Sequence, residues 1–431
     1  MSYLFRECNL FRKLEISKFN TSKVKNMRSL FRSCTFLQNL DVSNFDTSNV
    51  IDMSNMFMNI TYITSLDVSG FNTKQVKDMT LMFGGCEKLQ YLNLTNFDTK
   101  NVEYFGQMFE NCFELKNIDL SNFDTINAKE IEGMFHNCFQ IEKLDLSKFK
   151  TKNIKSMAYL FNSCYALKSL DLSNFDTSNV EDMSFMFEWC QNLDFLYLDN
   201  FETSNVEKMD YMFSRCYNIR SLDLSKFNTN SLRSMVSMFN YCLSITSIDL
   251  TNFNTSKITD MNHMFRSCQV LDYLDLSSFD TSHVKVMTNM FLECKNLKYL
   301  DISTFNTSLV EQMGGMFCYC QLLTSLDLAH FDTHRVLDMS SMFSNCQSLA
   351  FLNIGNFDTS SVNNMAMMFS SDSNLTNLDI TNFDTRNCEA FYFIFDGCNN
   401  LMITVNEKKC LNLFKWIPDY VTVKNVTKLK N

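Results

Sequence analysis

Fifteen phenylalanines fall 26 residues apart, from Phe19 and Phe45 through to Phe357 and Phe383, without one insertion or deletion. Two residues after each stands a threonine, from Thr21 to Thr385. A fixed period of this length marks a solenoid or another repeat array, in which each unit packs on its neighbours. It also moves the functional question. Such chains seldom enclose a catalytic cleft and instead present a long repeated surface.

From Leu167 one unit reads LKSLDLSNFDTSNVEDMSFMFEWC. Its first half has apolar residues at alternate positions, Leu170 and Leu172, which predicts a short strand with one face inward. Its second half places Val180, Met183, Met186, Phe187 and Cys190 at spacings of 3, 3, 1 and 3, which predicts one stripe of a short helix. In the DTSN link, Thr177 or Ser178 is expected to cap that helix, with Asp176 complementing its positive end. The residue before the threonine varies among Asp, Asn, Glu and Lys, whereas the threonine does not. Its hydroxyl is therefore expected to satisfy backbone groups at the corner.

The two ends depart from the pattern. Residues 1–10 begin in mid-unit, with Leu4, Phe5 and Cys8 in the register of the second half and no polar cap before them. That open coil offers a face for self-association. After Cys398 the pattern stops. Residues 399–431 read as a C-terminal cap on a 1–398 solenoid: strand (LMITV), helix (EKKCLNLFKWI), turn at Pro418 and strand (YVTVKNV), with Trp416 covering the last coil.

Charge excludes some partners. A net charge of −10 and a pI near 5.1 argue against nucleic acid, which needs a basic stripe, and against direct attraction to anionic lipid. No run of apolar residues is long enough for a transmembrane helix, so no direct membrane insertion is expected. The N-terminal MSYLFRECNLFRKLEISKF has no basic region followed by an apolar one, and the C-terminal VTVKNVTKLKN carries no anchor or lipidation signal.

The repeated string LxxLDLSxFDTSxVxxMxxMFxxCxxL, running from about Leu4 to Cys398, resembles the BspA-like leucine-rich-repeat surface proteins. It resembles in particular the 26-residue bacterial surface-protein repeat of the DUF285 family. That resemblance implies an α/β, leucine-rich-repeat-like, right-handed solenoid of about sixteen coils, with a parallel sheet on one face and short helices on the other. It also implies a cell-surface or secreted location, and adhesion to host or matrix proteins is the role proposed for several members. This chain departs in having Phe where the standard leucine-rich repeat has its ladder Asn, which is typical of the subclass. It also shows no signal sequence or anchor, which leaves a cytoplasmic location open.

Fourteen of the 17 cysteines share one column, including Cys8, Cys34, Cys190 and Cys398; Ile60 and Asp372 interrupt it. Cysteines stacked one coil apart point the same way, which suits buried thiols better than disulfides or a metal. The Cys318/Cys320 pair is weak as a metal signal. The Met/Phe stripe, as in Met212–Phe213 and Met238–Phe239, is expected to fill the core. Between the two inward strand positions runs an acidic column that includes Asp171, Asp223, Asp249, Asp275 and Asp301. It reads as a solubility face, or as a docking strip for a basic protein or a divalent cation. No compact calcium loop accompanies it.

On the same face Tyr91, Phe195, Tyr273, Tyr299 and Phe351 share a column, and Tyr197 interrupts the acidic column beside Phe195. Exposed aromatics of this kind anchor protein recognition. Phe195 with Tyr197 forms one candidate spot and Tyr273 with Tyr299 another. The five histidines (His136, His263, His283, His330, His334) occupy unrelated repeat positions, and no nucleophile elbow, P-loop, HExxH or dinucleotide fingerprint occurs. The expected function is a non-enzymatic protein-binding module without cofactor, adhesin-like, acting through avidity across many coils. An intracellular scaffold using the same surface, or a passive spacer, is the alternative.

Overall fold

A computed structural model describes residues 1–425; the last part of the expected cap, 426–431, lies outside the described residues. The chain forms two compact units, Met1–Ile219 and Arg220–Asn431. Each is a parallel solenoid of the leucine-rich-repeat type. The first holds eight Phe-x-Thr turns and the second seven.

In the first unit the strands are β1 (Lys13–Leu14), β2 (Asn39–Leu40), β3 (Ser65–Asp67), β4 (Tyr91–Asn93), β5 (Ser169–Asp171) and β6 (Phe195–Tyr197). In the second they are β7 (Ser221–Leu222), β8 (Ser247–Ile248), β9 (Tyr273–Asp275), β10 (Tyr299–Asp301), β11 (Ser325–Asp327), β12 (Phe351–Asn353), β13 (Asn377–Ile380), β14 (Met402–Val405) and β15 (Thr422–Asn425). Paired strands are parallel, and up to β12 they lie in register one repeat apart, as in Leu170↔Leu196 and Leu274↔Leu300. Because side chains alternate across a strand, the middle leucine enters the core and its two neighbours face out.

The expected short helices do not form. Among the described residues the only helix is a 3-10 turn, Leu413–Trp416. In the VxxMxxMFxxC segment every second N–H donates to the next coil. Met53, Asn55, Phe57 and Asn59 donate to the carbonyls of Asp78, Thr80, Met82 and Gly84 at 2.7–2.9 Å. The intervening amides close four-residue turns, Met56 to Met53 and Met58 to Asn55, both at 3.2 Å. An N–H aimed at the neighbouring coil is lost to the i→i−4 ladder, so no helix propagates. The apolar spacing of three satisfies both readings, because each such turn also returns a side chain to the core.

This backbone requires a left-handed residue at two places in each coil, such as Ser341 (φ 53°) and Asn345 (φ 62°). Among the described residues twenty-eight of these positions are not glycine, and none is Val, Ile or Thr, the β-branched residues least tolerant of positive φ. Left-handed backbone costs an L-residue about 1–2 kcal/mol. Ser341→Gly is therefore expected to raise stability by about 0.5–1 kcal/mol, and Ser341→Val to lower it by more than that. Denaturant unfolding of both variants checks the sign.

The core is built of columns. In the first unit Phe57, Phe83 and Phe109 stack with ring centroids 5.6 and 5.8 Å apart, and in the second Phe317, Phe343 and Phe369 stack at 5.7 Å. Beyond the first coil the Met/Phe stripe is fully buried, as expected. The threonine hydroxyl does clamp backbone at a corner: Thr73 donates to the Asp98 carbonyl at 2.9 Å and accepts the Asp98 N–H at 2.8 Å. The expected helix cap at DTSN is instead a turn. Asp176 accepts the N–H and hydroxyl of Ser178 at 3.1 and 2.6 Å. The first coil leaves Phe19 37% exposed, where Phe45 is 4%. At the other end β13, β14 and β15 form one parallel sheet. There Leu413 is buried and Trp416 stays 46% exposed, so leucine rather than tryptophan fills the core.

Candidate protein-binding face

The outward strand positions carry the candidate residues. Phe195 and Tyr197 flank Leu196 on β6 and are 58% and 50% exposed. In register they stand opposite Ser169 and Asp171 of β5, so Phe195, Tyr197 and Asp171 form one cluster in the first unit. In the second unit Tyr273 and Tyr299 stand opposite each other, 53% and 50% exposed, with their rings stacked at 4.8 Å and 4°. Asp275 and Asp301 are likewise opposite each other, two residues along the same strands. Asp223 and Asp249 follow β7 and β8 on the same column. The two aromatic spots thus lie in different units.

The acidic column has a local cause that the sequence reading missed. Each carboxylate closes a turn by accepting the N–H two residues on: Asp171 from Ser173 at 2.9 Å, Asp223 from Ser225 at 3.0 Å, Asp249 from Thr251 at 3.0 Å, Asp275 from Ser277 at 2.9 Å and Asp301 from Ser303 at 3.0 Å. The Ser173, Ser225 and Ser303 hydroxyls and N–H groups hold Asp171, Asp223 and Asp301 below the usual carboxylate range; for Asp249 the Thr251 N–H acts first. The same Asx turn recurs at Asp176 and at Asp182, where Ser184 donates at 2.9 Å. The D-x-S spacing, repeated three times in a unit, was the available signal.

Beside Tyr299 a hollow of about 450 Å³ opens on this face, lined among others by Asp301, Ser325, Asp327 and His330. A second, of about 620 Å³, lies by Tyr91 in the first unit, with Asp119, Lys143 and Asp145. On the turn-built side of the first unit two aromatic rows were also missed. Phe113, Phe139 and Tyr165 stack at 4.7 and 4.6 Å, and Tyr159, Phe185 and Tyr211 at 4.6 and 4.9 Å. These rings are half-buried and cover one another's faces, so they fasten coil to coil.

The cysteines are all free thiols, and every one but Cys8 is buried. Along the column the thiols donate to phenylalanine carbonyls of the preceding coil, as Cys86 does to Phe57 at 3.2 Å and Cys294 to Phe265 at 3.1 Å. Burial pushes the Cys86 and Cys294 thiols up to about 12, so neither supplies a thiolate. A thiol reagent is expected to label Cys8 alone in the native chain and all 17 cysteines after unfolding; counting modified thiols by mass checks this. Asp372, in the same column, is fully buried. Its Oδ1 accepts the Cys346 N–H at 2.8 Å, while its Oδ2 has no partner, and burial raises its pKa well above the usual value.

The histidines are scattered. His136 Nδ1 lies 3.1 Å from Glu110, His334 Nδ1 lies 2.7 Å from Asp332, and burial with Arg266 lowers His263 to about 4. Among the described residues no three His, Cys, Asp or Glu side chains gather to hold a metal ion, and no helix is long and apolar enough to cross a membrane.

No protein of curated function matches the sequence. Among solved structures the chain is similar to a leucine-rich repeat protein from Bacteroides ovatus, with 15% identity, 90% of this chain and 88% of that one covered, and a TM-score of 0.45. It is also similar to a leucine rich cell surface protein from Faecalibacterium prausnitzii, with 17% identity, 69% and 81% coverage and a TM-score of 0.33. A third is the functional domain of InlJ from Listeria monocytogenes, described as including a cysteine ladder, with 16% identity, 86% and 70% coverage and a TM-score of 0.21. The family described as "Mycoplasma protein of unknown function, DUF285" matches residues 1–115, 82–192, 161–248, 234–326 and 319–416 in overlapping copies. The chain belongs to the DUF285 family of repeat proteins, from its first coil to residue 416.

Proposed function

We propose that this chain is a non-enzymatic protein-binding module, adhesin-like, displayed at the cell surface or secreted, which meets a protein partner with its outward sheet face. The observation that carries this reading is the placement of Phe195, Tyr197, Tyr273 and Tyr299. All four are at least half exposed on short strands whose backbone is held by paired neighbours. Large aromatics on a rigid support lose little entropy on binding and make effective anchors. The surrounding carboxylates suit a partner with basic residues, and repetition over many coils multiplies weak contacts. The resemblance of the repeated string to that of bacterial surface proteins supports the location. The exposed Leu4, Leu10, Phe11 and Phe19 of the first coil are the place we assign to self-association.

The test is a variant with all four aromatics changed to serine, which other repeats carry in the column of Phe195, Tyr273 and Tyr299, at Ser169 and Ser325. Serine fits the strand, so the variant is expected to fold. It is expected to lose at least about tenfold in affinity for any protein that the parent chain captures from its medium or host. Unchanged capture by the folded variant would refute this reading and leave the spacer. Protease shaving of intact source cells tests the location, since release of repeat peptides only after lysis favours the intracellular scaffold.

A further inference from the structure

The hollow beside Tyr299 has a shape and charge that the stacked tyrosines alone do not explain. Tyr273 and Tyr299 cover one face of each other at 4.8 Å. The next residue in this column is the small Ser325, and the one after it Phe351, which stands opposite Ser325 in register on β12 and is itself exposed. The outer face of Tyr299 is therefore open above Ser325. Coils stack at about 4.8 Å, so the backbones carrying Tyr299 and Phe351 are about 10 Å apart. The hollow of about 450 Å³ is walled by Tyr299, Ser325, Asp301, Asp327 and His330, a slot with room for one inserted side chain against the open Tyr299 face.

Its charge is set by Asp301 and Asp327, which line the hollow together with Lys298 and His330. The Oδ1 atoms of both carboxylates are held in turns by the N–H groups of Ser303 and Ala329 at 3.0 and 3.1 Å. The Lys298 ammonium lies 3.9 Å from Asp272, on the coil before Tyr299 and away from Ser325. His330 Nε2 lies 3.1 Å from the Ile302 carbonyl. A ring face with two fixed carboxylates beside it is an environment for a cation.

We propose that this slot takes one arginine or lysine side chain from a partner protein, and so sets the specificity of the sheet face. The inference rests on the protein-binding reading above and narrows its partner to one presenting a basic residue. The probe is a fluorescent tetra-arginine peptide, with tetra-glutamine and tetra-glutamate as controls, titrated against the intact chain by anisotropy. Two variants address the slot. Ser325→Tyr fills it with a residue that the column already carries at Tyr273 and Tyr299. Asp301→Asn with Asp327→Asn removes the charge and keeps the turns, as Asn93 and Asn353 do in their own coils. Ser221→Tyr, on the same face outside the slot, is the control.

The expected result is preference for tetra-arginine over both controls, weakened by salt. Its affinity should fall about tenfold in each slot variant and stay unchanged in Ser221→Tyr. Equal binding of tetra-arginine and tetra-glutamine, or no loss in Ser325→Tyr, overturns the inference. Random-peptide selection on the same protein separates the two readings. Peptides that need Tyr273 and Tyr299 but carry no cation sink the slot and leave the protein-binding face. Selection that yields no peptide dependent on the sheet-face aromatics sinks both.

Discussion

Thr359→Val is expected to destabilise the second unit by about 2–4 kcal/mol, although valine and threonine have nearly the same shape. The Thr359 hydroxyl donates to the Asp384 carbonyl at 3.0 Å and accepts the Asp384 N–H at 2.8 Å, and both bonds are buried. Valine leaves a donor and an acceptor without partners, and each buried orphan costs about 1–3 kcal/mol. Thr359→Ser keeps the hydroxyl and should cost about 1 kcal/mol, the worth of one methyl. Urea unfolding of the two variants separates the roles. If valine proves no worse than serine, the hydroxyl is not the clamp. This double bond explains why threonine never varies while its neighbour changes among Asp, Asn, Glu and Lys. The neighbour contributes its backbone, and the threonine contributes its side chain.

Asp372→Cys is expected to stabilise the chain, with an effect that grows as pH rises. The wild-type carboxyl is buried with an unpartnered Oδ2, among Cys318, Cys346 and Cys398 of the same core. A cysteine there would place its thiol as the rest of the column does, donating to a phenylalanine carbonyl 29 residues earlier, here that of Phe343. Removing the orphan oxygen should gain about 1–3 kcal/mol. The folded pKa of Asp372 is raised above its unfolded value of about 3.9. Below that value both states hold the proton and the group imposes no pH-linked penalty. As pH rises toward the folded pKa, the unfolded state loses its proton first and is favoured by up to about 1.4 kcal/mol per unit. The gap between variant and wild type should therefore widen from pH 4 to pH 7. The turn-forming aspartates have depressed pKa values and the opposite slope, but they are common to both proteins and cancel in the difference. A constant gap would show that Asp372 titrates normally.

The parts of the fold legible in the sequence were those that a fixed column imposes. The phenylalanine period marks the repeat, Leu170 and Leu172 the strand, and Cys190 and Met186 the core, because each has one chemical task that recurs in every coil. The helix was misread at Val180–Cys190 because a return every third residue fills the same core whether the amides bond within the segment or to the next coil. The distinguishing signal lies at the left-handed positions. Asn55, Ser341, Tyr319 and their column mates never include Val, Ile or Thr across the chain. A helix would not have excluded those residues so completely. The outward aromatics Phe195 and Tyr299 were legible because they replace serine, the small polar residue of the same column in other repeats. The hollow beside Tyr299 was not, since it depends on what stands one and two coils further on, at Ser325 and Phe351. The role of the aspartates was half legible. Their exposure follows from strand alternation, whereas their turn bonds to residues such as Ser173 depend on where the strand ends.

In the proposed function the outward sheet face, and not the turn-built side, meets the partner. A photo-crosslinking phenylalanine analogue placed singly at Phe195, Tyr273 or Tyr299, and at the exposed turn-side Tyr319 as control, tests it most directly on living source cells. Irradiation should join the three sheet-face positions to a foreign protein, one rich in basic residues at the linked site, and give no adduct from Tyr319. Adducts from Tyr319 alone, or from all four positions equally, would contradict the account.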